Sequence, residues 1–156
     1  MFIRTANIRD IEKILVLEEQ IFGLHSRARP DWIDTDKRPF SYEFIKNSIE
    51  STNGKVFIAE EENSIAGYCI MTIREIRNHH IFRDMTNIEI EDLCVDEKFR
   101  KRGIGKILFD KVRDYAKTIN ANYIELGVWE FNRNAKNFYE HLGMKPRLHR
   151  MELKVE

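Results

Sequence analysis

The chain has 156 residues, enough for one domain with a real core and too few for two of ordinary size. Lys plus Arg and Asp plus Glu both number 26, so the formal net charge is zero; this excludes bulk attraction to nucleic acid or to a membrane surface and makes any cationic feature local. No apolar run approaches the ~20 residues of a membrane span, and Cys69 and Cys94 sit in apolar runs without metal-ligand spacing, so the chain reads as soluble and cytoplasmic, with core thiols and no metal.

Phe2 to Thr5 can form a short strand, and Asn7 offers a cap to a helix that carries Ile8, Ile11, Ile14, Leu15, Ile21 and Phe22 at helical spacing and is expected to end near Phe22. From Gly23 to Phe40 the periodicity is lost in a stretch with two prolines and Trp32, too long for a bare connection and suited to a binding loop, a lid or a broken helix. Ser41 then caps a second helix with Phe44, Ile45 and Ile49 inward, stopped near Asn53-Gly54. "KVFIAEEENSIAGYCIMTI" reads as a hairpin turning at Glu62 to Ser64. After a polar stretch with His79 and His80, "NIEIEDLCV" alternates and then becomes apolar, as a strand open to solvent at its start and buried at its end. Ile104, Leu108, Val112 and Ile119 set one face of a helix against a sheet, followed by the strand "YIELGV". Asn132 or Asn134 leads a helix ended by Gly143, and the alternating tail "RLHRMELKV" predicts a last strand. The order predicts a single domain over 1–156 of the α/β (α+β) class: one mixed, mostly antiparallel central sheet of about six to seven strands flanked by about four helices.

The segment from Arg100 to Lys106, "RKRGIGK", combines Arg100, Lys101, Arg102 and Lys106 with two glycines where a strand passes into a helix. Helix starts leave N–H groups unpaired and carry partial positive charge, so such a junction is a natural seat for phosphate. It is neither of two familiar phosphate loops. Gly103 and Gly105 are too close for the P-loop, in which Ile107 would also have to be Ser or Thr, and Leu108 stands where the dinucleotide fingerprint needs its third glycine.

"LCVDEKFRKRGIGKIL" resembles the signature of the GCN5-related N-acetyltransferase (GNAT) superfamily, [RQ]-x-x-G-x-[GA], matched at Arg100, Gly103 and Gly105. "NRNAKNFYEHLGMK" resembles a second block of that family, matched at Asn132, Ala135, Phe138, Tyr139, Gly143 and Met144. The resemblance extends to Gly67-Tyr68 in the hairpin and to the element order across nearly the whole chain. It implies the acyl-CoA N-acyltransferase fold and direct transfer of an acetyl group from acetyl-CoA to an amine, without a metal. It places the pyrophosphate on Arg100, Lys101, Arg102, Gly103, Ile104, Gly105 and Lys106, and the pantetheine arm along the backbone of Leu93, Cys94 and Val95, with Asn132 and Ala135 adjacent. Tyr139 is implied as the acid that protonates the leaving thiolate.

A lysine-like amine has a pKa of ~10.4 and needs a proton acceptor near neutrality. The candidate acceptors are Glu89, directly or through a water chain, and Glu91: the resemblance puts Glu89 where the histone-acetylating branch of the family has its glutamate base, and counting by two puts Glu91 on the same face of the strand and Asp92 on the other. Glu18, Glu19, Glu43, Glu89 and Glu91 would suit a cationic acceptor, with a small-molecule primary amine the leading reading. The alternatives are a protein lysine or N-terminal amine, and a non-catalytic acyl-CoA-binding regulatory module. His25, His79 and His80 fall in segments expected on the acceptor side. Exposed strand edges in the family can also pair two copies into a homodimer.

Overall fold

The computed structural model describes residues 1–38 and 40–155; Pro39, inside the expected loop, lies outside them. Strand β1 (Phe2–Thr5) is followed by helices α1 (Ile11–Ala28) and α2 (Tyr42–Glu50), then β2 (Gly54–Glu61), β3 (Ser64–Ile76), β4 (Met85–Val95), α3 (Ile104–Thr118), β5 (Tyr123–Glu125) and α4 (Arg133–His141). The sheet runs β1-β2-β3-β4-β5; its first four strands are antiparallel neighbours, and β5 lies parallel to β4. A parallel pair needs a crossover, which α3 supplies.

Local chemistry accounts for most boundaries. Asn7 accepts from the Arg9 N–H while Asp10 accepts from the Asn7 N–H, a capping box that starts the turn leading into α1 and is held from β1 by Arg4. Ser41 accepts from the Phe44 N–H to start α2. The β2–β3 hairpin turns through Glu62 and Asn63, both with positive φ, as a tight two-residue turn requires.

The sheet separates two cores. Ile11, Ile14, Leu15 and Leu17 of α1 and Ile45 of α2 pack on one face with Val56, Ile58, Tyr68, Ile70 and Cys94. Ile104, Leu108, Phe109 and Val112 of α3 pack on the other with Phe57, Cys69, Met71, Ile88 and Ile90, and Tyr139 of α4 joins them.

Three expectations need correction. Helix α1 continues through Gly23 to Ala28, so the irregular segment is shorter than its composition suggested. Among the described residues five strands form rather than six to seven, because the tail 147–155 pairs with no strand. Alternation is necessary for a strand, but a partner edge is also needed; Met151, Leu153 and Val155 remain 87%, 88% and 86% exposed. The third correction concerns β4. Ile70 pairs with Asp92 but Met71 pairs with Ile90, so Glu91 is an extra residue in the strand, a β-bulge. Side chains after it change parity: Ile88 and Ile90 face α3, whereas Cys94 faces α1. Asp92 therefore lies on the same side of the sheet as Glu89 and Tyr68, contrary to counting by two.

Candidate active site

The β4–β5 ladder runs from Asn87↔Tyr123 to Glu89↔Glu125 and stops. Beyond it the strands part, and Ile90 to Leu93 on one side and Leu126 to Trp129 on the other line a cavity of about 630 Å³, within the ~300–1,000 Å³ common for small-ligand sites. Helix α1 closes it with Glu18, Ile21 and His25; the segment after α1 contributes Trp32, Lys37 and Arg38, and α4 contributes Asn132, Ala135 and Tyr139.

Two carboxyls inside this cavity have unusual environments. Glu18 is 2% exposed, and burial pushes its pKa up to about 7. Asp92 accepts a 2.5 Å hydrogen bond from the Tyr68 hydroxyl; burial pushes its pKa up to about 6, against the opposing effect of that bond. Tyr68 is itself fully buried, and its hydroxyl is held protonated by burial and by the neighbouring Asp92. Asp92 is thus a largely ionised carboxylate at neutral pH with one oxygen already claimed. Burial, with Cys69 and Asp92 nearby, likewise keeps the Tyr139 hydroxyl protonated. His25 is shifted the other way, its pKa lowered by burial.

Glu89, by contrast, pairs with Arg74 on a part-exposed surface and does not line the cavity. Glu91 does line it, while its carboxylate sits 3.5 Å from the same Arg74. His79 and His80 stack on each other in the exposed β3–β4 loop and do not line the cavity, whereas His25, placed on α1 rather than in a loop, does.

The glycine junction has the form expected of an anion seat. Gly103 precedes α3 with φ +79°, a conformation other residues adopt at a cost, and nothing lies within 4 Å of the Cβ it lacks. No side chain caps α3, so the N–H groups of its first turn are free of a capping partner. A Cβ on Gly105 would sit 3.2 Å from the Phe138 ring, so this second glycine permits close packing of α3 against α4. The cations of the segment differ in their engagement. Arg100 donates from Nε to the Val95 carbonyl, Arg102 lies over the Phe99 ring, Lys106 pairs with Asp110 at 2.5 Å, and Lys101 is exposed with φ +62°. Ile104 is 2% exposed in the core, so only its backbone faces the junction. On β4, Leu93 lines the cavity, and from Ile90 to Val95 the edge facing β5 has no ladder partner. Cys94 points into the α1 core, where its thiol donates to the Leu17 carbonyl and burial pushes its pKa up to about 12. Asn132 caps α4 through its side-chain oxygen and the Ala135 N–H, and both residues line the cavity. Gly103's open cradle, the uncapped α3 turn and the free β4 edge fit the pyrophosphate and extended arm of a coenzyme A thioester.

Among the described residues no group of His, Cys, Asp and Glu has the arrangement of a metal site, and no helix is long and apolar enough to cross a membrane.

Sequence reasoning named Glu18 only as one of several acidic residues, Tyr68 only beside Gly67, and Asp92 only on the opposite face, and so missed that the cavity brings Glu18 and Asp92 together, with Tyr68 bonded to Asp92. For Glu18 a signal was available, since it follows Ile11, Ile14 and Leu15 on the inward face of α1.

The sequence profile of the acetyltransferase (GNAT) family matches residues 20–144. An uncharacterized N-acetyltransferase in the pepI 3' region of Lactobacillus delbrueckii subsp. lactis is 33% identical over 100 residues, 64% of this chain and 57% of that protein. L-ornithine N5-acetyltransferase NATA1 of Arabidopsis thaliana is 30% identical over 124 residues, 76% of this chain and 50% of that one. The chain thus spans about half the length of these curated relatives. Among solved structures, a mutant of the BH1408 protein from Bacillus halodurans superposes with a TM-score of 0.96 at 29% identity, covering all of both chains. Aminoglycoside N-acetyltransferase AAC(6')-Iy in complex with CoA shares the fold, with a TM-score of 0.73 at 17% identity over 99% of each chain.

Proposed function

The chain belongs to the acetyltransferase (GNAT) family, and from that premise we propose that it moves an acetyl group from acetyl-CoA to the terminal primary amine of a small basic amino acid. One observation carries this reading: Glu18, Asp92 and Tyr139 line a single cavity that opens where β4 and β5 separate.

Bound acetyl-CoA would supply the thioester carbonyl and the thiolate leaving group. The groups suited to hold it are the backbone N–H groups at the start of α3, Arg100, and the free edge of β4 through Leu93 and Val95. An acceptor enters as an ammonium, which the carboxylates of Asp92 and Glu18 attract and orient. Asp92 takes its proton, leaving the nitrogen lone pair free to attack. A carboxyl near pKa 6 is mostly ionised at pH 7 to 8, yet more basic than an ordinary Asp. Tyr139, held protonated, gives its proton to the thiolate as the C–S bond breaks; the nitrogen's second proton leaves as the amide forms and, through solvent, restores the tyrosine, while Asp92 releases its own proton to solvent. Glu89 is outside this chemistry because Arg74 engages it away from the cavity. Glu91 borders the acceptor without a proton-transfer role.

The acceptor class is supported by lining charges of both signs. Glu18, Glu91 and Asp92 line the cavity together with Lys37 and Arg38, which would exchange their present partners, Asp34 at 3.7 Å and Glu19 at 2.8 Å, for a substrate carboxylate. The name of the Arabidopsis relative, an L-ornithine N5-acetyltransferase, supports the same class. A thiol-release assay with acetyl-CoA and L-ornithine, L-lysine, diamines and lysine peptides tests it. Turnover is expected to be fastest with the free amino acids; faster turnover of peptides would move the reading to protein acetylation. Acetyl-CoA binding with no thiol release from any amine would make the chain a binding module.

A further inference from the structure

Arg29, just after α1, joins three segments that are far apart in sequence. Its Nε and Nη2 bond both oxygens of Asp31, at 3.0 and 2.9 Å, and its Nη1 and Nη2 bond both oxygens of Glu152, at 2.8 and 3.1 Å. The guanidinium carbon lies 5.5 Å from the centroid of Trp32 and 5.3 Å from that of Trp129. These two rings meet edge to face at 6.2 Å, and both line the acceptor cavity. Trp129 continues into Phe131, which meets His25 across the same rim. Glu152 belongs to the tail that forms no strand; that tail is held a second time by Arg147, whose guanidinium pairs with Glu125 at the end of β5.

We infer that Arg29 and Glu152 are positioning residues for the acceptor: the tail carboxylate fixes the Arg29 fork, and the fork holds Trp32 against Trp129 as the wall of the cavity mouth. Arginine suits this because its planar fork serves two carboxylates at once while its faces stack on aromatic rings. Lysine could keep the charge but not this geometry. Neither residue lines the cavity, so their effect on the acceptor passes through the two rings. The clamp is built largely of part-exposed charges, so salt weakens it.

The effect on acceptor binding rests on the proposed acetyl transfer, but the clamp itself can be read without activity. Trp32 and Trp129 are the only two tryptophans of the chain, so intrinsic emission reports this rim alone. Glu152→Gln, Arg29→Lys and, as a control on the same tail, Arg150→Gln are compared in emission maximum, acrylamide quenching, and steady-state kinetics with acetyl-CoA and L-ornithine. Glu152→Gln and Arg29→Lys are expected to increase quenching and to raise the acceptor KM about three- to tenfold, the range for a part-exposed charge cluster. Expected kcat and acetyl-CoA KM stay within about twofold. Arg150→Gln should behave as wild type, and about 0.5 M salt should bring wild type toward Glu152→Gln. Emission and quenching identical to wild type in Glu152→Gln overturn the clamp, whether or not any amine is turned over. Altered emission with an unchanged acceptor KM in an active enzyme overturns the positioning role. If no amine is acetylated, quenching alone decides whether the tail holds the rim, and the acetyl-transfer reading fails separately.

Discussion

Replacing Glu18 with Gln should make the protein more stable at alkaline pH and leave it unchanged near pH 4.5. Unfolded, Glu18 titrates at 4.5; buried on α1, it titrates at about 7. Below 4.5 both states hold the proton and the site is neutral. Between these values the native state keeps a proton that the unfolded chain has released, so stability falls as pH rises. Above about 7 the carboxylate is charged in both states, and the folded protein bears the full cost of burying it. At 1.36 kcal/mol per pH unit, the interval from 4.5 to about 7 makes that cost about 3 kcal/mol. Gln has nearly the same volume and never ionises, so it removes the cost. For a chain of this size 1 kcal/mol corresponds to about 2–4 °C in Tm, so Glu18→Gln should melt roughly 6–12 °C above wild type at pH 8.5. Asp92 and His25 titrate in both proteins, so the difference between the two curves reports Glu18 together with its coupling to Asp92. Thermal melts from pH 4.5 to 8.5 supply the test. Parallel curves, or a wild type that melts higher at pH 8.5, would refute the reasoning.

Asp92→Asn should lower kcat about 100-fold or more while acetyl-CoA affinity, measured by calorimetry, stays within about twofold; Glu89→Gln should change kcat less than about twofold, and the reverse ranking would return the base to Glu89. In wild type, kcat/KM should rise with pH through about 6 as Asp92 ionises, because its proton must be absent for it to accept another. Tyr139→Phe should reduce turnover about tenfold or more and leave CoA affinity nearly unchanged; equal turnover would remove the hydroxyl from the reaction. Gly103→Val should abolish CoA binding, because a β-branched residue both resists φ near +79° and fills the open cradle; unchanged binding would place the phosphates elsewhere.

The parts of this site legible in sequence are those where chemistry demands a backbone shape. Gly103 and Gly105 mark a tight turn and a close helix approach, and Asn132 marks a cap; such requirements restrict residue type at fixed spacing, so they can be read directly. The face assignments in β4 could not be read, because period-two counting assumes that the ladder has no extra residue. Nothing in "IEIEDLCV" marks Glu91 as that residue; it becomes one through the pairing of Ile70 and Met71 on another strand. Tyr68 was noticed only for its place beside Gly67, since its hydrogen-bond partner is 24 positions away. The tail erred in the opposite direction. Its alternation is real, but a strand is a property of two segments, and no partner strand meets residues 147–155.

The bulge at Glu91 also implies a trade between order and function at one position. Deleting Glu91 would leave Ile90 facing α3 and Asp92 facing α1, because removal of the extra residue restores regular alternation without exchanging the faces. Such a chain has a straighter β4, a continuous ladder with β3, and less of the local bend that accompanies a bulge. Its sheet should be the sturdier one. Yet a straighter β4 can follow β5 further, closing the gap between Ile90–Leu93 and Leu126–Trp129 in which both carboxyls and Tyr139 meet. The irregular residue falls within the stretch where β4 and β5 are apart, and the better-made sheet is expected to hold the smaller cavity.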